Sequence, residues 1–511
     1  MTGTHLLGID FGTGGCKVTV ITADGHVAGE AFAEYQTMHP HPGWSEQDPA
    51  HWIAAVSSTV SRALGNAKIP PSAIAALALD GSTHNAVLLD EFDHLIRPVI
   101  MWTDQRSGEQ GRRLEAEASD LILRIGMHRP TPTWTLPQLA WLREHEGDAY
   151  RRIRRISFTK DYVREWMTGV WGTDWIEAQG SLLFDARQRQ WSPELCALID
   201  LPLGTLPPIV APTAVAGRLR PEPAKAMGLL DGTPVVVGAS DTAVEDYGVG
   251  AIAPDDAIVK MATAGNVNVM VAEPRPTRET LTYPHVIDGL WYSVTATNSC
   301  ASSNRWFRDA LGGEEVVEEC RTGEDAYVQL DRRASRVPAG SGGVLFHPYL
   351  LGERSPYWDP MLRGSFVGFT MRHGKDHLVR AVLEGIAFSL RDCLEALRRH
   401  GFNVRQAVPI GGGAKSPLWR QILAAVLGVP LRRVAVTDSS FGSALLAGVG
   451  VGLFASAEAA VRRCVRILEI VEPDPALAEC YEALFPVYLD TQKALAPVNH
   501  RLHTFEERYH A

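Results

Sequence analysis

The sequence is poor in features that would tie it to a disulfide scaffold, a membrane or a nucleic acid. Its seven cysteines, Cys16, Cys196, Cys300, Cys320, Cys393, Cys464 and Cys480, are odd in number and include no Cys-x-x-Cys pair. That spacing indicates neither a disulfide framework nor a zinc site, and a reducing compartment fits it best. No basic segment followed by an apolar run opens the chain, and Asp10 falls where a signal peptide would be hydrophobic. The most apolar stretch, 444–455, is short and glycine-rich against the roughly 20 residues a bilayer requires. A cytoplasmic protein without a membrane span is expected. Lys and Arg number 49 against 59 Asp and Glu, a net charge of −10, so there is no general attraction for nucleic acid or anionic lipid. The cluster Arg151-Arg152-Ile153-Arg154-Arg155 reads as a local solvated face. No low-complexity tract or solenoid repeat is present. No glycine turn has the full dinucleotide spacing with an acidic residue about 20 positions on, which disfavours a dehydrogenase.

What remains is a soluble globular composition, 45% hydrophobic and 21% charged, over 511 residues. That length suits two domains of roughly 250 residues each. The expected division is 1–247, with an insertion over about 105–215, and 248–511. The first begins with three short strands, His5 to Asp10, Cys16 to Ile21 and Val27 to Glu34. Asp48-Pro49 then reads as an N-cap and first-turn proline before a helix ending near Gly65, and Ile74 to Asp80 as a buried strand parallel to the first. The second repeats the plan, with a hairpin around 256–272, a strand at Leu290 to Ala296, and a helix from about Ala301. Its longest helix is expected from Asp376 to His400. A strand at Ala407 to Ile410 then runs into Gly411-Gly412-Gly413-Ala414, and a helix starts at Ser416-Pro417.

The chemistry-bearing pattern is a strand delivering the chain to a bare glycine turn, and it occurs in both halves. Gly8-Ile9-Asp10-Phe11-Gly12-Thr13-Gly14-Gly15 comes first. Val235-Val236-Val237-Gly238-Ala239-Ser240-Asp241 and Ile258-Val259-Lys260-Met261-Ala262-Thr263-Ala264-Gly265 answer it later. Glycine lets backbone N–H groups approach phosphate oxygens closely. Asp10 and Asp241 each lie at or just past a strand end, where side chains enter a crevice. One carboxylate of such a pair can hold magnesium and the other can take a proton from an attacking hydroxyl, which suggests phosphoryl transfer.

These motifs, with Gly43-Trp44-Ser45-Glu46-Gln47-Asp48-Pro49, Met101-Trp102-Thr103-Asp104, Phe346-His347-Pro348-Tyr349-Leu350 and the segment from Gly364 to Glu384, resemble the FGGY family of carbohydrate kinases from end to end. Within it, the resemblance is nearest to xylulokinases, with gluconokinases and other pentulose kinases close behind. The resemblance implies an α/β fold of two actin-like (ribonuclease H-like) ATPase domains around a central nucleotide and sugar cleft. It also implies ATP and Mg2+ as cofactors and a small sugar as substrate.

Carried onto this sequence, Asp241 becomes the general base and Asp10 the magnesium ligand. Gly12, Thr13, Gly14, Thr263 and Gly265 become the phosphate turns, with Gly412, Gly413, Ser416 and Arg305 beside the base and ribose. Thr83 and His84 touch the sugar, with Trp44 and Asp104 as weaker candidates for the sugar face. Each has a plainer alternative. Asp241 would cap the helix that follows it, Asp10 would be satisfied by turn amides, Arg305 would be an exposed helix charge, and His84 and Trp44 would be packed core side chains. The chain departs from the family's usual residues at Ser82-Thr83-His84-Asn85, at Ala262 and Ala264, at Gly14 and at Gln138. D-xylulose is the expected substrate, with gluconate or another pentulose as the alternative within the family, and a non-enzymatic actin-like nucleotide-binding protein as the rival outside it. Neither nucleic acid nor membrane is an expected partner, and an isologous homodimer is the default assembly for a soluble enzyme.

Overall fold

The chain opens on an antiparallel hairpin, His5–Gly12 with Gly15–Thr22, and Val27–Glu34 adds a third antiparallel strand. The computed structural model describes residues 4–509. Asp48 accepts the Ala50 N–H at 2.9 Å, Pro49 occupies the first helical position, and the helix Pro49–Ala67 ends at Lys68 in the left-handed conformation. That helix returns the chain to Ile74–Gly81, which pairs in parallel with the first strand, as a right-handed crossover requires. Pro234–Ser240 lies on the other side of it, also parallel, and Val215–Arg218 closes the edge of a six-stranded sheet.

Alternation along the first strand decides what covers each face. Leu7, Ile9 and Phe11 join Trp52, Val56 and Val60 of the Pro49–Ala67 helix in one apolar cluster. Gly8 and Asp10 therefore point to the opposite face, where the helix Ser439–Gly450 packs. This contact is close enough that a Cβ on Gly8 would sit 1.8 Å from the Ser440 carbonyl oxygen. The first structural unit accordingly contains the segment up to Ile252, Ala272–Tyr292 and Val436–Arg466.

The second unit comprises Ala253–Val271, Ser293–Ala435 and the segment from Ile467 onward. Its sheet uses the same opening: Asp256–Met261 pairs antiparallel with Gly265–Val271 and parallel with Gln406–Ile410. Leu431–Val434 and Ile467–Val471 extend it beyond Gln406–Ile410. The helix expected to end at His400 runs over Lys375–Arg399 and stops at Gly401, whose φ is +80°. It is not the longest of the second half. Pro475–Tyr509 spans 35 residues and continues through Pro486 and Pro497, although proline interrupts the i to i−4 ladder of a helix. Its buried Tyr481, Phe485 and Tyr488 pack with Phe388 of Lys375–Arg399, so tertiary packing outweighs the local penalty. Among the described residues no helix is long and apolar enough to cross a membrane.

The strand carrying Asp241 is irregular. Its register against Ile74–Gly81 shifts between Val236 and Ala239, and Gly238 within that bulge has φ +75°. Bulges re-aim the side chains that follow them. A Cβ at Gly238 would lie 1.7 Å from the Leu79 carbonyl oxygen. Replacement Gly238→Ala combines a backbone clash with a disfavoured φ and should cost about 3 kcal/mol or more. Equilibrium unfolding in urea should show that loss, whereas an Ala variant unfolding at the wild-type midpoint would contradict the bulge geometry.

Candidate active site

Asp10 and Asp80 face each other in register on adjacent parallel strands. Both belong to the face covered by Ser439–Gly450, and the first turns of that helix meet them: Ser439 hydrogen-bonds Asp10, and the Ser443 hydroxyl donates to Asp80 Oδ2 at 2.5 Å. A helix N-terminus favours negative charge. Burial, and then the charge of Asp241, nevertheless push the Asp10 carboxyl up to about 7. Asp80, fully buried, is likewise pushed well above the usual carboxylate range by burial and by Asp10. Asp10 and Asp80 hydrogen-bond each other, and Oδ1 of each accepts from no other group of the protein. Asp241 begins the helix Asp241–Gly248 rather than preceding it, and its Oδ1 accepts the Thr242 N–H at 2.6 Å and the Thr242 hydroxyl at 3.2 Å.

The glycine turn beside Asp10 is held from behind. Tyr35 donates its hydroxyl to the Gly12 carbonyl and its N–H to that of Gly14, and Gln47 Nε2 donates to the Thr13 carbonyl at 2.8 Å. In a trans peptide the C=O and the next N–H point oppositely, so pinning the Gly12 and Thr13 carbonyls back turns the N–H groups of Thr13 and Gly14 outward. The Thr13 hydroxyl accepts Trp102 Nε1–H at 2.9 Å, which leaves its own proton to donate.

The loop after Ile74–Gly81 carries Thr83, His84 and Asn85. Asn85 is spent on the loop itself, donating to Ser82 and Thr159 and accepting from Trp102 N. His84 is buried with φ +54°, a conformation that costs a non-glycine residue about 1–3 kcal/mol. Its N–H donates to Glu177 Oε1 at 2.6 Å, and its carbonyl accepts the Thr135 hydroxyl at 2.7 Å. Nδ1 of its ring is buried without a partner. The ring lies 4.7 Å from Trp134, which stacks on His128 at 4.5 Å. From His128 the contacts continue to Tyr283 at 4.4 Å and from Tyr283 to Tyr292 at 5.2 Å. Tyr292 is bonded to Ser240, next to Asp241. An aromatic wall thus runs from the candidate sugar histidine to the candidate base, and Trp134 Nε1 and Gln179 Oε1 are further buried, unpartnered polar atoms in its neighbourhood. Burial holds the His84 and His128 rings near 3, so both are neutral at ordinary pH.

Trp44 and Asp104 are occupied elsewhere. Asp104 accepts Ser45 N–H and three bonds from Arg106, and the Arg106 guanidinium lies 3.5 Å from the Trp44 ring centroid. Trp44 packs against Trp141 and His41, so this is a cluster of its own.

In the second unit Arg305, Gly412, Gly413 and Ser416 line one cavity of about 370 Å³ with Asn304, Tyr327, Asp331 and Trp419. That size is in the usual range for a small organic ligand. The Gly413 backbone passes so close to Trp419 that a Cβ would lie 2.7 Å from its ring. Ser416 caps the helix Pro417–Leu427 by accepting Trp419 N–H and bonds Asp331. Thr263 and Gly265 lie on the hairpin turn. The Ala262 and Thr263 carbonyls accept the N–H groups at the start of Ala301–Leu311, and Gly265 is hemmed in by Leu390, Cys300 and Thr297.

Among the described residues no group of three metal-ligating side chains exists. Magnesium needs no such cage, because it keeps several waters and binds one or two carboxylates plus phosphate oxygens. The buried Asp10 carboxylate, whose Oδ1 accepts from no N–H or hydroxyl group of the protein, fits that requirement.

Sequence reasoning overlooked Asp80, Glu177, His128, Trp134 and Gln179. Asp80 was within reach of the rule that singles out Asp10 and Asp241, a carboxylate at the end of a buried strand. The other four come from the 105–215 insertion, whose pattern carries no spacing that points to His84.

The raised pair makes a stability prediction. Asp10 and Asp80 bind protons more tightly folded than unfolded, so the stabilising protonation is complete below about 3.8, and Asp10's share is lost as pH rises through about 7. Without nucleotide or metal, the melting temperature should fall between pH 5.5 and 8, and Asp80→Asn should flatten that fall. A parallel pH dependence in wild type and variant would contradict the pair.

Comparison with known proteins gives the family and the fold. The N-terminal domain of the FGGY family of carbohydrate kinases matches residues 5–248, and its C-terminal domain matches residues 261–451. A xylulose kinase of Lactococcus lactis is 30% identical over 99% of both chains. The crystal structure of a xylulose kinase from Rhodospirillum rubrum superposes with a TM-score of 0.87 at 28% identity, covering 97% of this chain and 100% of the other. That of a gluconate kinase from Lactobacillus acidophilus gives 0.88 at 26% identity, covering 98% and 99%. The fold is the two-domain mixed α/β fold of sugar kinases, which sets aside a non-enzymatic actin-like protein, and the chain belongs to the FGGY family of carbohydrate kinases.

Proposed function

We propose that this carbohydrate kinase phosphorylates the terminal hydroxyl of a neutral ketose, D-xylulose at O5, using ATP and magnesium with Asp241 as general base. The observation that carries the choice of a neutral sugar is the chemistry around His84. Its ring and that of His128 are neutral, so they offer hydrogen bonds without charge. Lys160 is engaged by Asp161 and Asp174, and Arg129 by Glu115. Hydroxyl and carbonyl groups suit such a surface. A sugar carboxylate against these rings would be desolvated without a charged partner from them. The relatives named xylulose kinase support the same sugar, while the likeness to a gluconate kinase keeps gluconate as the second reading.

In the reaction the terminal sugar oxygen attacks the γ-phosphorus of ATP. An oxygen–phosphorus bond forms, the bond from that phosphorus to ADP breaks, and the hydroxyl proton passes to Asp241. Thr242 holds the Asp241 carboxylate at the first turn of its helix, so its orientation is set before substrate arrives. The outward N–H groups of Thr13 and Gly14, with the Thr13 hydroxyl, would donate to phosphate oxygens. Thr263 and Gly265 would form the second phosphate turn. The cavity with Arg305, Gly412, Gly413 and Ser416 would take the base and ribose. Asp10 would hold the magnesium ion, which neutralises developing phosphate charge.

A coupled ADP-release assay should show turnover on D-xylulose at least tenfold above gluconate. Preference for gluconate would transfer the assignment to the second reading. In the same assay Asp241→Asn should lower kcat by about 10²–10⁴-fold, the usual worth of a general base, with the KM for ATP nearly unchanged. Turnover retained in that variant would remove Asp241 from its role.

A further inference from the structure

The backbone of His84 is gripped on both sides by side chains that the sugar chemistry does not otherwise use. Its N–H is held by Glu177 and its carbonyl by Thr135, and all three residues are buried. Glu177 is itself fixed. Asp174 Oδ1 caps the helix Trp175–Gly180 by accepting Ile176 N–H at 2.8 Å and Glu177 N–H at 3.1 Å. Asp174 is in turn anchored by Lys160 at 2.7 Å, and Lys160 by Asp161 at 2.7 Å. Beside the grip, Gly180 leaves room for the imidazole, since a Cβ there would stand 3.3 Å from His84 Cδ2. The product of all this is one non-glycine residue at φ +54° whose ring nitrogen Nδ1 is buried and unpartnered.

We propose that Glu177 and Thr135 are positioning residues, a clamp that forces His84 into the left-handed conformation so that Nδ1 is preset to bond one sugar oxygen. The inference rests on the sugar-kinase reading of the His84 loop and adds to it how that histidine is aimed. Two observations speak against a merely structural grip. The bonds stabilise a conformation that histidine avoids when unconstrained. The grip also leaves Nδ1 of a buried ring without a protein partner at good hydrogen-bond geometry, the Thr133 backbone being the ring's other polar neighbour, so an incoming oxygen can supply one. Glu177 acts through an acceptor oxygen, and burial raises its carboxyl well above the usual range. An amide oxygen should therefore replace it.

The test is a comparison of Glu177→Ala, Glu177→Gln and Thr135→Val with wild type, reading KM for the sugar and for ATP separately. The Ala and Val variants should raise the sugar KM roughly tenfold or more, as loss of a buried bond does, and leave the ATP KM within twofold. The Gln variant should stay near wild type. An unchanged sugar KM in the Ala variant, or equal loss for both substrates, would overturn the clamp. If Glu177→Ala does not fold, the cycle of Thr135→Val with His84→Ala decides. The clamp predicts that Thr135→Val adds nothing once the imidazole is gone, and full additivity would overturn it. A crystal structure of Thr135→Val or Glu177→Ala reads φ of residue 84 without substrate. Relaxation to negative φ supports the clamp, and retention near the wild-type value overturns it. If wild type phosphorylates neither D-xylulose nor gluconate, the functional reading falls, while the crystallographic result still judges the clamp.

Discussion

Two carboxylates, Asp10 and Asp80, held side by side beneath the first turns of Ser439–Gly450 are the constraint on which the first unit depends. Facing each other across parallel strands and buried, they hold protons more tightly than free carboxylates, and the helix N-terminus with the Ser439 and Ser443 side chains meets the charge that remains. That contact explains why a segment more than 350 residues downstream of Asp80 in sequence belongs to the same unit as the first strand. It also explains the bare Gly8, since any side chain there would lift the helix off the carboxylates. The bulge at Gly238 follows from the same geometry, because Asp241 must approach this pair from a third parallel strand.

Around this acidic centre the polar groups divide into those satisfied by the protein and those left open. The turn carbonyls of Gly12, Thr13 and Gly14 all accept hydrogen bonds from behind, and Asn85 and Asp104 are bonded to neighbouring groups and Arg106. Asp10 Oδ1, His84 Nδ1, Trp134 Nε1 and Gln179 Oε1 are not satisfied. Folded proteins rarely tolerate such atoms unless something else completes them. A carboxylate oxygen at one end and neutral donors and acceptors at the other are the groups that the proposed magnesium phosphate and uncharged sugar would meet.

Much of this was legible in the sequence because the informative residues were local. Strand, glycine turn and Asp10 lie within ten residues of one another, Asp48-Pro49 marks a helix start by capping chemistry alone, and Ser416-Pro417 does the same. The aromatic wall was not legible. Trp134, His128 and Gln179, from an insertion whose sequence has no short-range signature, are brought together with Tyr283 of a later segment by tertiary packing. Trp44 and Asp104 show the converse. A motif resemblance drew attention to them, yet their side chains are spent on Arg106, Ser45 and Trp141. The Pro475–Tyr509 helix was hidden for another reason, since its two prolines read locally as breaks while Tyr481, Phe485 and Tyr488 hold it against Phe388.

The central claim is that an uncharged ketose is oriented by His84 so that its far terminal hydroxyl meets Asp241 and the phosphate. The most direct test is the position of the phosphate in the product formed from D-xylulose and ATP, read by carbon–phosphorus coupling in the NMR spectrum. The account predicts coupling at C5 and no other phosphorylated carbon. Phosphate at C1, or release of inorganic phosphate without a phosphorylated sugar, would contradict it.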